Sequence, residues 1–82
     1  MLRPTAVKVI PLENYKLMVY FDNQEVKEFD VRPYIMGEWY ERLKLKDPSY
    51  FRAVMVDGYT VCWPEGQDLC PDDLYELSIP VW

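Results

Sequence analysis

The stretch YKLMVYFDNQEVKEFDV, residues 15–31, decides the fold that we expect for this chain. Its first eight residues are rich in strand-forming types and alternate in polarity, so that Leu17, Val19 and Phe21 share one face of a predicted strand. The opposite face carries Lys16, Met18 and Tyr20. Asp22 and Asn23 tolerate turn conformations, and the segment 26–31 then alternates again. The stretch therefore predicts two antiparallel strands joined by a turn.

The flanking segments extend this pair into an α+β fold. Residues Ala6 to Ile10, bracketed by Pro4 and Pro11, predict an earlier strand, and Asp57-Gly58 predicts a hairpin within 53–63. Short helices are expected from Gly37, after Asp47 as N-cap, and at Pro71 as first helical residue, preceded by Cys70 or Asp68. The prediction is a single domain, 1–82, with a meander of about three strands, a hairpin and two or three short helices.

Composition narrows the class of function. Half of the 82 residues are hydrophobic and 16% are aromatic, which favours a packed core over disorder. The net charge of −5 works against binding of nucleic acid. We find no apolar run near the roughly 20 residues of a membrane span and no signal-peptide pattern, so we expect a cytoplasmic protein without membrane contact. The last residues, SIPVW, are expected to pack on the core, to pack on a partner, or to fray.

The segment CWPEGQDLCPDDLYEL, residues 62–77, concentrates cysteines and acids that could bind a metal or act in redox chemistry. Zinc sites use closely spaced Cys and His. This chain has no His, and seven residues separate Cys62 from Cys70. The acids lack the spacing of a calcium loop, and Asp72 and Asp73 suit the first turn of a helix. We therefore predict free thiols, no metal and no cofactor.

Catalysis is not expected. A Ser-His-Asp or Cys-His arrangement is impossible without His, and the three scattered Gly residues form no phosphate-binding loop. The acids near Cys70 work against a reactive thiol at this helix start, and Cys62 is expected to act as a small hydrophobic residue. No catalytic residue is predicted.

Three segments resemble the small bacterial family named domain of unknown function 2442. They are VIPLENYKLMVYFDN (9–23), EFDVRPYI (28–35) and FRAVMVDGYTVCWPEGQDLCPDDLYE (51–76). The closing motif of that family, Trp-Pro-x-Gly-x-Asp-Leu-x-Pro-x-x-Leu, is matched by Trp63, Pro64, Gly66, Asp68, Leu69, Pro71 and Leu74. DNQE (22–25) departs from the Asn-Gly or Asp-Gly turn of the family, which implies a looser turn.

The resemblance implies an α+β fold, which in some relatives is attached to a helix-turn-helix domain. Some relatives are encoded beside another small protein, which implies an antitoxin-like or regulatory pairing. The family brings no established catalytic residues to this chain.

Our main hypothesis is a protein-interaction module whose partner is a second copy or the product of a neighbouring gene. Trp39, Tyr40 and Trp82 are the candidate interface residues, because aromatic side chains concentrate at interface centres. One alternative is an accessory domain of a nucleic-acid-linked regulator, with a basic stripe of Lys8, Lys16 and Lys27. Another is a metal-binding protein or enzyme that uses the acids of 65–76. Which strands form the sheet edges stays open.

Overall fold

The expected α+β class is confirmed, with an antiparallel sheet at the centre of the fold. The computed structural model describes residues 4–35, 45–58 and 60–81. The strands are Ala6–Leu12 (β1), Lys16–Phe21 (β2), Val26–Asp30 (β3), Met55–Asp57 (β4), Thr60–Cys62 (β5) and Ile79–Pro80 (β6). The helices are Arg32–Ile35 (α1), Pro48–Phe51 (α2) and Pro71–Glu76 (α3). One sheet has the order β1-β2-β3-β6, and β4 pairs with β5 in a second.

The meander forms because β2 buries alternate residues. Leu17, Val19 and Phe21 are buried, and β2 pairs antiparallel with β1 on one side and β3 on the other. Leu17 lies opposite Phe29 and Val19 lies opposite Lys27, so these side chains point to the same side of the sheet. We call this side the core face. The predicted alternation of β2 is thereby confirmed.

The first strand is longer than predicted, because it continues through Pro11 to Leu12. Phe21 donates its N–H to Glu25 O on the β3 side (2.9 Å), so alternate amides of β2, including that of Leu17, point toward β3. Pro11 lies opposite Leu17 in the β1–β2 pairing and therefore needs no N–H there. Pro11 therefore does not terminate β1.

The two turns of the meander use left-handed backbone at residues other than glycine. Asn14 and Tyr15 have φ of 61° and 59° within a short 3-10 helix, Glu13–Tyr15. In the second turn the left-handed residue is Gln24 (φ 73°), whereas Asp22 and Asn23 were expected to supply this conformation. Asn23 instead accepts the N–H of Glu25 at its Oδ1 (3.0 Å), which closes the turn without glycine.

Two helix starts agree with the predictions. Asp47 caps α2 by accepting the N–H of Ser49 at its Oδ1 (3.0 Å), and Pro48 follows it in the first turn. Pro71 begins α3, and Cys70 holds the N-cap position without a side-chain hydrogen bond. The helix predicted from Gly37 falls outside the described residues. None of the helices in the described ranges is long and apolar enough to cross a membrane.

The hairpin predicted around Asp57-Gly58 is confirmed with shorter strands. Met55 pairs with Cys62 and Asp57 pairs with Thr60, so Asp57 is the last residue of β4 rather than a turn residue. Gly58 follows with φ of 68°, a conformation that glycine adopts without steric cost.

The C-terminal segment forms a strand that the sequence did not predict. Ile79 lies opposite Glu28 and Pro80 lies opposite Lys27 in an antiparallel pairing with β3. Val81 continues this pairing by donating its N–H to Val26 O (2.9 Å). The sheet thus gains a fourth strand from residues about 50 positions further along the chain.

The core lies between the core face of the sheet and a layer formed by the helices and the second hairpin. Its largest fully buried side chains are Trp63, Phe29, Leu17, Leu45, Leu69, Leu74, Val19, Val31 and Val61. Trp63 connects the two parts of that layer, because its Nε1–H donates to Phe51 O (2.9 Å) while its ring packs on the Phe51 ring. The core face is therefore covered by the chain itself.

Candidate functional site

The opposite side of the sheet, which we call the outer face, carries apolar side chains on all four strands, of which only Val26 on β3 is buried. Strand pairing assigns its residues, because directly opposed side chains in a ladder point to the same side. Ile10 lies opposite Met18, Met18 opposite Glu28, and Glu28 opposite Ile79. The outer face comprises Lys8, Ile10, Leu12, Lys16, Met18, Tyr20, Val26, Glu28, Asp30, Ile79 and Val81.

Several apolar side chains of the outer face contact solvent. Ile79 is 69% exposed and Val81 is 41% exposed, whereas Ile10, Met18 and Tyr20 are half-buried. Apolar side chains grouped on one side of a sheet mark a contact site for another molecule more often than single exposed hydrophobic residues do. Among these apolar residues the exposure is highest on β6, whereas Val26 on the adjacent strand β3 is buried.

The charged residues of the outer face balance one another. Lys16 Nζ lies 3.3 Å from Glu28 Oε1, and Lys8 Nζ lies 5.2 Å from the centre of the Tyr20 ring. Asp30 Oδ2 accepts from Arg32 Nη2 at 2.8 Å; this hydrogen bonding lowers the pKa of Asp30 and raises that of Arg32. Two lysines and two acids leave the outer face without net charge in a chain of −5.

The basic stripe hypothesised from Lys8, Lys16 and Lys27 is wrong. Lys27 lies on the core face and is only 8% exposed, because it pairs with Val19 rather than with an outer residue. Its Nζ donates to Tyr75 O (2.9 Å) and lies 3.7 Å from the centre of the Tyr75 ring. The three lysines therefore occupy two different sides of the sheet.

A polar cluster around Tyr75 holds the C-terminal part of the chain against the sheet. The Tyr75 hydroxyl donates to Glu25 Oε1, and Lys27 Nζ lies 3.7 Å from Glu25 Oε2. The hydrogen bonds from Tyr75 and then Asn23 lower the pKa of Glu25. The Tyr75 ring also packs edge-on against Phe21, with centroids 5.1 Å apart. These contacts place α3, and hence the β6 strand that follows it, beside β3.

Both edges of the four-stranded sheet carry a proline at an outward backbone position. Pro11 in β1 and Pro80 in β6 each occupy a position where the backbone N–H of another residue would point outward, away from the sheet. The register of β1 also shifts between Ala6 and Lys8, which bends this edge. Prolines and bulges at an edge oppose the addition of another strand. Which strands form the sheet edges was left open by the sequence; among the described residues, β1 and β6 are the edges of this sheet.

The closing motif builds the core and the turn that leads to α3. Trp63, Leu69 and Leu74 are buried, whereas Pro64, Gly66 and Asp68 are exposed and Pro71 begins α3. Gly66 has φ of 102° and donates to Trp63 O (3.0 Å), and Trp63 donates to Gln67 O (2.8 Å). The Thr60 hydroxyl donates to the buried Leu69 carbonyl (2.7 Å). The buried members of the motif therefore stabilise the core, and its exposed members form the turn.

The two cysteines are free, as predicted. Burial, followed in size by the charges of Asp57 and Asp68, raises the pKa of Cys62 and disfavours its thiolate. Cys70 is exposed at the start of α3. Within 4–35, 45–58 and 60–81, no group of three Cys, Asp or Glu side chains is placed to hold a metal ion.

Two shallow grooves flank Tyr15, whose hydroxyl donates to Lys46 O (2.6 Å). One has a volume of about 250 Å³ and includes Phe51 and Arg52; the other has about 240 Å³ and includes Arg32 and Ile35. Pockets that enclose a drug-sized molecule are larger, roughly 300 to 1,000 Å³. We therefore do not assign a ligand site to these grooves.

The predicted interface residues Trp39, Tyr40 and Trp82 lie outside the described residues. The apolar residues that the structure brings together, Ile10, Met18, Tyr20, Ile79 and Val81, were missed as a site. A signal was present in β2, whose predicted second face carries Met18 and Tyr20 beside a single lysine. The contribution of β6 had no comparable signal, since Pro80 interrupts its pattern.

Comparison with known proteins finds one family. A family model described as "Protein of unknown function (DUF2442)" matches residues 6–80, nearly the whole chain. No curated protein and no solved structure matches the chain. The match agrees with the resemblance carried by the three sequence segments.

Proposed function

The chain belongs to the DUF2442 family of unknown function, and on that premise we propose that it is a protein-interaction module that binds its partner through the outer face. One observation carries the proposal: on the side of the sheet opposite the core, apolar side chains of β1, β2 and β6 contact solvent, with Ile79 69% exposed. The role is non-catalytic, uses no cofactor and operates in the cytoplasm.

The chemistry of the outer face suits a protein better than a small molecule. A small ligand is bound in a concave pocket that covers most of its surface, whereas a sheet face is open and broad. Met18 and Tyr20 near its centre are residue types enriched in protein interfaces. Lys8, Lys16 and Asp30 lie around them, as in the polar rims that are usual for interfaces, whereas Glu28 lies in the central row beside Met18.

The sheet edges favour contact through the face. A peptide that extends a sheet needs backbone donors and acceptors along the edge strand. Pro11 and Pro80 supply no donor at their outward positions, so strand addition loses a hydrogen bond at each edge. Side chains of the outer face are then the main means of contact.

The resemblance to the family suggests the process in which this contact acts. Relatives encoded beside another small protein support an antitoxin-like or regulatory pairing, in which the partner is the product of a neighbouring gene or a second copy of the chain. The outer face is compatible with either partner, because both would present an apolar surface to it.

The proposal is tested with two matched methionine variants. Tagged wild-type protein, Met18→Glu and Met55→Glu are used for affinity capture from the source cells, and bound proteins are quantified by mass spectrometry. Met55 is 43% exposed and lies on the second hairpin, outside the outer face. The Met55→Glu variant therefore controls for the general effect of replacing a methionine with a glutamate. We expect Met18→Glu to lose a stoichiometric partner that Met55→Glu retains. Equal capture by all three proteins would overturn the assignment of the outer face.

A further inference from the structure

We infer that the partner of the outer face is a second copy of this chain, packed face to face about a two-fold axis that runs parallel to the strands. The inference rests on the proposed function, because it names the occupant of the same surface. Aligned face-to-face packing of two sheets is a common solution for burying apolar sheet surface. The evidence for a second copy is the self-complementary arrangement of side chains.

Such an axis, placed between β2 and β3, brings each strand opposite a different strand of the second copy. β1 of one copy then faces β6 of the other, and β2 faces β3. Because Ile10 and Ile79 lie in the same row of the sheet, Ile10 faces Ile79 of the second copy. In the next row Tyr20 faces the buried Val26, and Lys8 faces Val81. The apolar contact between the copies therefore comes mainly from Ile10, Ile79 and Tyr20.

The same operation pairs opposite charges. Lys16 and Asp30 are directly opposed in the β2–β3 ladder, so the axis between these strands places Lys16 of one copy over Asp30 of the other. Met18 faces Glu28, whose carboxylate is drawn toward Lys16 at 3.3 Å and leaves its methylene groups for the contact. A two-fold interface forms each of these contacts twice.

A different axis in the plane of the sheet is less favourable. A two-fold axis perpendicular to the strands, through the row of Met18, places Glu28 over Glu28 of the second copy. Like charges at this separation repel, whereas the axis parallel to the strands avoids such pairs. The charges thus favour the parallel axis over a perpendicular axis through the row of Met18.

The charge of the whole chain also favours this face. Two molecules of net charge −5 repel one another, and approach through acidic surfaces increases that repulsion. Lys8 and Lys16 balance Glu28 and Asp30, so the outer face contributes none of the net charge. Self-association meets less electrostatic opposition here than it would on a surface carrying the excess acids.

The size of the face sets the expected strength. Four strands and three rows of outward side chains cover roughly 19 Å by 20 Å, from ordinary strand spacings. This footprint lies below the standard of about 800 Å² buried per partner, so the dimer is expected to be weak and to form only at high protein concentration.

Sedimentation equilibrium of the full chain tests self-association. We expect wild-type protein and Met55→Glu to shift from monomer to dimer between about 10 and about 500 µM, a range that brackets a dissociation constant of about 100 µM. Met18→Glu should raise that constant at least tenfold. Ile79→Ser changes a highly exposed residue at the sheet edge and should also raise the dissociation constant. This second variant keeps the test valid if Met18→Glu does not fold. Circular dichroism checks the folding of both variants.

Cross-linking tests the symmetry. Ile10→Cys and Ile79→Cys are made in separate chains, one enlarged by a tag, in a Cys70→Ser background, and mixed with a short bis-maleimide. A cross-linker is needed because packed sheets lie about 10 Å apart, beyond disulfide reach. We expect the mixed product, Ile10→Cys linked to Ile79→Cys, to exceed both same-variant products. A dominant product of two Ile10→Cys chains would overturn the proposed axis.

The outcomes separate this inference from the proposed function. A wild-type chain that remains monomeric at the highest concentration overturns the second copy as partner, while selective loss of another protein by Met18→Glu would leave the interaction module intact. A monomer combined with equal capture by wild type and Met18→Glu overturns both. A dimer that Met18→Glu weakens and that gives the mixed cross-link supports both.

Discussion

The two faces of the four-stranded sheet contain similar side chains with different surroundings. On the core face, Leu17 and Val19 are fully buried beneath the helices and the second hairpin. On the outer face, Met18 and Tyr20 come from the same strand but remain half-buried, and Ile79 is mostly exposed. Alternation along β2 therefore separates the faces without determining which side chains become covered. Coverage depends on where the distant helices and hairpin pack.

The largest expected effect distinguishes adjacent residues on the two faces. Leu17→Ala should lower the free energy of unfolding by about 2–5 kcal/mol, because it removes fully buried methyl groups and leaves a cavity. Met18→Ala should cost less than about 1 kcal/mol in dilute protein, since its side chain already contacts solvent. Urea unfolding measures both. An equal loss for both variants would show that the outer face is as tightly packed as the core.

The second effect compares two lysines that differ in burial. Lys27→Met should cost about 1–2 kcal/mol, because it removes the contact with the Tyr75 ring and the hydrogen bond to Tyr75 O. Lys16→Met should cost at most about 0.5 kcal/mol, since its pair with Glu28 is partly exposed. Both variants are measured by urea unfolding. Unchanged or increased stability in Lys27→Met would mean that burying the ammonium costs as much as its contacts contribute.

The third effect is a dependence on pH at the Tyr75 cluster. The pKa of Glu25 lies below its ordinary value of 4.5 in the folded protein. Its stabilisation is therefore present above that value and is lost as pH falls through the lower folded pKa. Glu25→Gln and Tyr75→Phe should both show a shallower loss of melting temperature in acid than wild type. Acid melting curves that coincide with wild type would contradict a role for this hydrogen bond.

The smallest effect on stability concerns the sheet edge. Pro80→Ala should change the free energy of unfolding by less than about 1 kcal/mol, the range for releasing a proline constraint. It restores an outward N–H on β6, so we expect increased association beyond the dimer at high concentration. Thermal melting and light scattering measure the two quantities. Scattering equal to wild type would show that the proline does not limit edge pairing.

The sequence predicted the meander and the second hairpin because their signals are local. Alternating Leu17, Val19 and Phe21 require one covered face, and Asp57-Gly58 marks the hairpin between neighbouring segments. Asp47 caps its helix through an N–H only two residues away. Each of these contacts is between residues close together in the chain, so a sequence pattern suffices to identify it.

The missed features depend on distant contacts. Lys27 looked like a solvated strand residue, because its partner Tyr75 is 48 positions away. Likewise, β6 contains two residues and a proline, and it becomes a strand only when α3 brings it beside β3. The outer face could be predicted in part from Met18 and Tyr20, but its most exposed members come from β6. Local pattern cannot supply this juxtaposition.

The long connection between β3 and β6 has a consequence for the order of events during folding. Strands β1 to β3 meet through short turns, whereas the contacts of Tyr75 with Lys27 and Glu25 close loops of 48 and 50 residues. Closing a long loop carries an entropic cost before its contacts form. We therefore expect the meander to be structured in the folding transition state and β6 to join afterwards. The outer face is then completed last, once most of the surface of the chain is already buried.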